Sequence, residues 1–215
     1  MTKVKICGLT EPLHIEAAVN AGADYLGFVF AKSRRQIEPA EARKMTEQVP
    51  KTVGKVGVFV SPSFEEVQTA IQAAQLTAIQ LHGKLKPSLE TAIQTGVFAH
   101  QKIAVIQAFD GEADTLEQAF ISSNSDFGLL DAPVRNHLYA GGNGQSFDWQ
   151  KAAKKSLPFS ERFFIAGGLH VANVQQAIAI FDPYAVDISS GVETNGKKDS
   201  KKIQQFIHLV KEKKR

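Results

Sequence analysis

The chain has 215 residues, 43% of them hydrophobic and 22% charged, which excludes disordered and fibrous classes and gives room for a real core. Its net charge of +3 is misleading, because residues 197–215 alone carry +6 and the other residues sum to −3. Basicity confined to a last helix and tail, with no interleaved aromatic residues beyond Phe206, reads as a solvated face and not as a nucleic-acid surface.

The opening MTKVKICGLTEPLH lacks the apolar core of a secretory signal, and no apolar run approaches the length of a membrane span. A cytoplasmic protein with no membrane partner is expected. The single cysteine, Cys7, allows no internal disulfide and no multi-cysteine zinc site.

In chain order, apolar strand-like runs alternate with helical patterns. Strands are expected at Val4–Cys7, Tyr25–Phe30, Val53–Val60, Ala78–Leu81, Ile103–Phe109, Phe127–Asp131, Phe163–Ala166 and Ala185–Ile188. Runs such as LGFVF and RFFIA are nearly continuous, as in parallel strands covered on both faces. Helices are expected at Glu11–Ala21, Pro39–Gln48, Ser88–Thr95, Ala113–Ser122 and Asp148–Lys155. Three more follow from apolar stripes: Val67, Ile71 and Ala74, with Ser63 as cap; Val174, Ala177, Ile178 and Phe181; and Ile203, Phe206, Ile207 and Val210. Eight strands alternating with eight helices predict an α/β protein, a single (β/α)8 TIM barrel over residues 1–215 with short loops. An open doubly wound sheet is the rival, but at this length it more often has five or six strands.

The active site of such a barrel lies at the C-terminal strand ends. The first strand ends at Cys7, which is either a small buried hydrophobe or a thiolate acting as base or nucleophile; the second role needs a polar or cationic neighbour. Asp131 closes the apolar run FGLLD, either as a cap or ion-pair partner or as a general acid with its proton held by desolvation. Arg35, beside Arg34, is a surface arginine or a guanidinium for a carboxylate or phosphate. His82 and Asp187 also fall at strand ends, the first as a core histidine or a binding group, the second as a loop holder or a binding group.

Glycines cluster after three strands: Gly141-Gly142-Asn143-Gly144, Gly167-Gly168 and Ser189-Ser190-Gly191. They allow backbone N–H groups close to an anion, and the last two loops are the usual phosphate site of this barrel. A small phosphorylated substrate is therefore expected as partner. No metal-ligand spacing occurs among the six histidines, so no metal is expected.

These residues are similar to those of the phosphoribosylanthranilate isomerase family. The likeness runs through Lys5-Ile6-Cys7-Gly8-Leu9-Thr10, Gly22–Phe30 with Ser33, Arg35 and Ile37, and Val56–Val60. It continues through Gln80-Leu81-His82-Gly83, Leu129-Leu130-Asp131, Gly141-Gly142 with Phe147-Asp148-Trp149, Ala166–Leu169 and Val186–Glu193. The resemblance implies an Amadori rearrangement of N-(5-phospho-β-D-ribosyl)anthranilate in tryptophan biosynthesis, with Cys7 as general base and Asp131 as general acid. It also implies that Arg35 meets the anthranilate carboxylate, that His82 and Asp187 lie near the substrate, and that Gly142, Gly168, Ser189 and Gly191 hold the phosphate. No metal or organic cofactor is implied.

Asn143 departs from the Thr or Ser more usual in the family, and Arg135 and His137 receive no role. The related isomerase of histidine biosynthesis has an aspartate in place of Cys7 and a second phosphate site, which the sequence does not offer. A non-catalytic phosphate-ligand binder leaves Cys7, Asp131 and Arg35 unexplained together. A monomer is the expectation and a homodimer the alternative.

Overall fold

The computed structural model describes residues 1–131 and 148–212. Eight parallel strands close on themselves in sequence order: β1 (Lys3–Cys7), β2 (Tyr25–Val29), β3 (Gly54–Val60), β4 (Ala78–His82), β5 (Ala104–Asp110), β6 (Phe127–Asp131), β7 (Phe163–Ile165) and β8 (Ala185–Ile188). β1 closes the ring by pairing with both β2 and β8, with Lys5 opposite Tyr25 on one side and Asp187 on the other. Closure leaves no open sheet edge.

The connections are α1 (Pro12–Asn20), α2 (Pro39–Met45), α3 (Phe64–Ala74), α4 (Pro87–Gln94), α5 (Val97–His100), α6 (Leu116–Ser123), α7 (Trp149–Ser156), α8 (Val174–Phe181) and α9 (Ser200–Lys211). Their starts follow from local chemistry. Proline occupies the first turn of α1, α2 and α4, where its missing N–H leaves no bond unmade. Ser63 caps α3 as expected: its hydroxyl accepts from Glu66 N at 3.2 Å while the Glu66 carboxylate accepts from Ser63 N at 2.6 Å. Asp199 caps α9 by accepting from the backbones of Lys201 and Lys202.

Differences from expectation are small and local. α6 begins at Leu116, not Ala113, because Asp110 holds the preceding residues in a turn, its side chain accepting from Glu112 N and its carbonyl from Ala113 N. Pro87, not Ser88, starts α4, and the short α5 was not anticipated. Nor was the antiparallel pair β9 (Glu193–Thr194) and β10 (Lys197–Lys198).

Apolar side chains pack in two shells. Val56, Ala78, Ile106, Leu129, Phe164, Ala166 and Ala185 fill the inside of the barrel, while larger clusters lie between sheet and helices, where Ile203, Phe206, Ile207 and Val210 of α9 are buried as their spacing predicts. Burial of this kind is the main favourable term in folding. The N-terminal end of the barrel is closed by Lys3, Tyr25 and Tyr184: Lys3 Nζ donates to Tyr184 Oη at 3.0 Å, and the two tyrosine hydroxyls are 2.7 Å apart. The opposite end stays open.

Candidate active site

A cavity of about 1240 Å³ opens at the C-terminal strand ends, and Cys7, Arg35, His82, Asp131, Gly168, Asp187, Ser189 and Gly191 all line it. The structure therefore brings together every expected site residue that it describes. Gly142 lies outside the described residues, as do Asn143, Arg135 and His137.

Cys7 ends β1 and is 7% exposed. Burial pushes this thiol above its ordinary pKa, against the pull of the Lys5 and Lys198 charges, while Asp187 adds to the rise. The cationic neighbours that a catalytic cysteine calls for are thus present, yet they do not outweigh desolvation. Asp131 ends β6 on another wall of the same cavity and is likewise buried.

Arg35 is not a loose surface side chain. Its Nε donates to Glu193 Oε1 at 2.7 Å and its Nη2 to Glu193 Oε2 at 3.2 Å, a two-pronged pairing suited to a planar guanidinium. Gly8, with φ +75°, lets the arginine pass over the end of β1; a Cβ there would stand 2.5 Å from Arg35 Cδ. Lys198 Nζ completes the cluster, donating to Glu193 Oε1 at 2.9 Å and to the Ser189 carbonyl at 2.8 Å. Burial alone would raise the Glu193 carboxyl, but Arg35 and Lys198 hold it below the usual carboxylate range. Burial lowers Lys198 despite Glu193. This corrects the expectation that the basic C-terminal stretch is wholly a solvated face: Lys198 is a buried strut, and Lys211 pairs with Asp24 at 2.6 Å.

Ser189 Oγ donates to the Cys7 carbonyl at 3.1 Å and accepts from Lys198 Nζ at 3.2 Å. Its hydroxyl is therefore spent on the frame, and any contact it offers an anion comes from its backbone. The 3₁₀ turn Ser190–Val192 follows directly, and Gly191 sits against the Leu169 carbonyl with no space for a side chain.

A buried polar chain runs beneath these groups. Lys5 Nζ donates to Asp187 Oδ2 at 2.8 Å and to Gln80 Oε1 at 2.7 Å, and Gln80 Nε2 lies 2.7 Å from His82 Nε2. Because the Gln80 oxygen already accepts from Lys5, its amide must donate to His82, which makes His82 Nε2 an acceptor and puts the proton of the neutral ring on Nδ1. Burial, with the Lys5 charge, lowers His82 from 6.5 to about 4. The unfolded chain therefore takes up this proton first. Its contribution to stability is complete above pH 6.5 and is lost as pH falls from 6.5 towards 4, about 3 kcal/mol in all. In thermal melts the wild type should lose about 3 kcal/mol relative to His82→Gln as pH falls from 6.5 to 4; parallel curves would show that His82 is not held neutral by the fold.

Lys5, Gln80, Glu193 and Lys198 were not singled out from sequence. The signal was partly there: Lys5 and Gln80 interrupt apolar strands at inward positions, as Cys7 and His82 do. Glu193 and Lys198 flank a turn of the unanticipated hairpin, so nothing in their spacing marked them. Among the described residues no group of three or more histidine, cysteine or acidic side chains is placed to hold a metal ion.

The chain is similar to known proteins over nearly its whole length. A family model described as N-(5'-phosphoribosyl)anthranilate isomerase matches residues 4–209. A relative named N-(5'-phosphoribosyl)anthranilate isomerase from Streptococcus mutans is 46% identical over 98% of this chain and 100% of its own length. One from Streptococcus gordonii is 47% identical over 99% of both chains. Among solved structures, phosphoribosyl anthranilate isomerase from Thermotoga maritima superposes with a TM-score of 0.80 at 37% identity, covering 98% of this chain and 99% of that one. A phosphoribosyl anthranilate isomerase solved with reduced 1-(o-carboxyphenylamino)-1-deoxyribulose 5-phosphate gives 0.78 at 36%, with the same coverage.

Proposed function

The chain belongs to the N-(5'-phosphoribosyl)anthranilate isomerase family, and we propose that Cys7 and Asp131 carry the protons of its reaction. It is an isomerase of tryptophan biosynthesis: it converts N-(5-phospho-β-D-ribosyl)anthranilate to 1-(2-carboxyphenylamino)-1-deoxy-D-ribulose 5-phosphate. The observation that carries the assignment of roles is that Cys7, Asp131 and Arg35 line one cavity with the loops after β7 and β8.

The chemistry needs an acid, then a base. Asp131 protonates the ring oxygen, and the C1–O bond breaks as the anilino nitrogen donates its electron pair, giving a protonated Schiff base. That iminium acidifies the C2 proton, and Cys7 removes it as a thiolate to leave an enolamine, which tautomerises to the ketone. The iminium itself withdraws the electrons, so the route asks for no metal or organic cofactor. Its positive charge, added to those of Lys5 and Lys198, favours the Cys7 anion that burial opposes. Arg35, held at the mouth by Glu193, faces the anthranilate carboxylate. Asp187 and His82 lie toward the sugar, and the backbone at Gly142, Gly168, Ser189 and Gly191 receives the phosphate.

Residues 1–215 act as one barrel domain. The monomer is the proposed working unit, although one solved relative from Thermotoga maritima is a monomeric form of a dimeric phosphoribosylanthranilate isomerase; the proposed location is the cytoplasm. Among the described residues no helix is long and apolar enough to cross a membrane. The test is the loss of anthranilate fluorescence on mixing the chain with freshly generated phosphoribosylanthranilate. Rapid loss is expected, with no comparable turnover of the aminoimidazole substrate of histidine biosynthesis. Equal turnover of both would sink the assignment of specificity.

A further inference from the structure

The steps above use Lys5 only as one of two nearby charges and give its place in the barrel no account. Lys5 is 0% exposed and lies among barrel-filling side chains, where an ammonium is costly unless paired. Its pairing with Asp187 and Gln80 meets that cost, but stability alone does not account for it. A buried ion pair is often no more stabilising than an apolar pair of the same volume.

Three observations give the cation a task. Lys5 and Cys7 are two residues apart on β1 and fill the same gap over Gly27: a Cβ on Gly27 would stand 2.9 Å from Cys7 Sγ and 3.1 Å from Lys5 Cε. Lys5 binds Oδ2 of Asp187, while Asp187 Oδ1 is buried with no hydrogen-bond partner among the described residues, in a residue that lines the cavity. Through Gln80, Lys5 also sets which nitrogen of His82 carries the proton.

We propose that Lys5 is a positioning residue of the reaction, holding Asp187 with one oxygen open at the cavity floor and placing a fixed positive charge beside the Cys7 sulfur. This deepens the reading of Cys7 as the base and rests on it. The charged and titratable groups around that sulfur are Lys5 on β1, Asp187 on β8, Lys198 on β10, and Arg35 with Glu193 at the mouth. His82 on β4 and Asp131 on β6 stand on the other walls. Of these, Lys5 is the strongest influence favouring the thiolate, ahead of Lys198, and Asp187 opposes it. Burial would lower Lys5, but Asp187 and Cys7 hold it above its ordinary pKa, so the ammonium persists through the working pH range.

Cys7 is the only cysteine, so alkylation by iodoacetamide reports on it alone. In Lys5→Met the charge is gone and the Asp187 carboxylate is left facing the sulfur. The alkylation rate at pH 8 should fall about tenfold or more, since each unit of rise in thiol pKa costs about tenfold in thiolate. The kcat should fall with it, its low-pH limb should move to higher pH, and KM should change only a few-fold.

If Lys5→Met does not fold, the comparison is made between Asp187→Asn and the double variant Lys5→Met/Asp187→Asn, in which no buried carboxylate is left unpaired. The double variant should then alkylate more slowly than Asp187→Asn. Coincident alkylation profiles in the applicable comparison would overturn the proposal and leave Lys5 a structural ion-pair partner. Failure of the Cys7 assignment looks different: Cys7→Ala would keep its turnover, whatever the alkylation of the lysine variants showed.

Discussion

Replacing Cys7 by serine is expected to lower kcat at least about a hundredfold, because a positioned general base contributes roughly 10² to 10⁴ in rate. The substitution keeps the size of the side chain at the end of β1 and its place in the cavity. What changes is the acidity, since a hydroxyl ionises far less readily than a thiol in surroundings that already oppose the anion. Substrate binding should survive, for the carboxylate and phosphate contacts proposed at Arg35 and the loops after β7 and β8 are untouched. The loss then appears in kcat and kcat/KM alike, the pattern of an interaction made only in the transition state. Steady-state kinetics with the wild-type chain alongside settle it, and near-normal turnover by Cys7→Ser would remove Cys7 from the mechanism.

The barrel was legible in the sequence because most strands are buried on both faces and the helices on one. Those two environments leave different periods, continuous apolar runs of four to eight residues in the first case and stripes at i, i+3, i+4 in the second. All eight strands fall within a residue or so of expectation. What the pattern did not mark were elements too short to have a period, α5 and the β9–β10 pair, and the start of α6, where a turn built by Asp110 competes with the helix.

The mouth of the site was legible through a topological rule, since knowing the strand ends names Cys7, His82, Asp131 and Asp187 at once. Its supports were not. Lys5 looks from sequence like a flaw in an apolar strand, and only closure of the ring sets it against Asp187 on β8 and Gln80 on β4. Glu193 meets Arg35 across some 160 residues of chain, and Lys198 acts by holding Glu193. Contacts of that kind depend on where strands meet, not on local spacing.

Asp131→Asn is the second large effect expected. The amide keeps the shape at the end of β6 and removes the proton that opens the furanose, so kcat should drop about a hundredfold or more while KM moves only a few-fold. An effect confined to KM would make Asp131 a binding residue instead. The double variant Cys7→Ala/Asp131→Asn sharpens the distinction. If acid and base serve successive steps of one path, losing either already stops it, and the pair should be little worse than the poorer single variant. Independent contributions would multiply, which would place one of the two residues outside the proton-transfer sequence. The outcome separates a cavity that moves protons from one that merely grips a sugar phosphate, a distinction that the fold alone does not make.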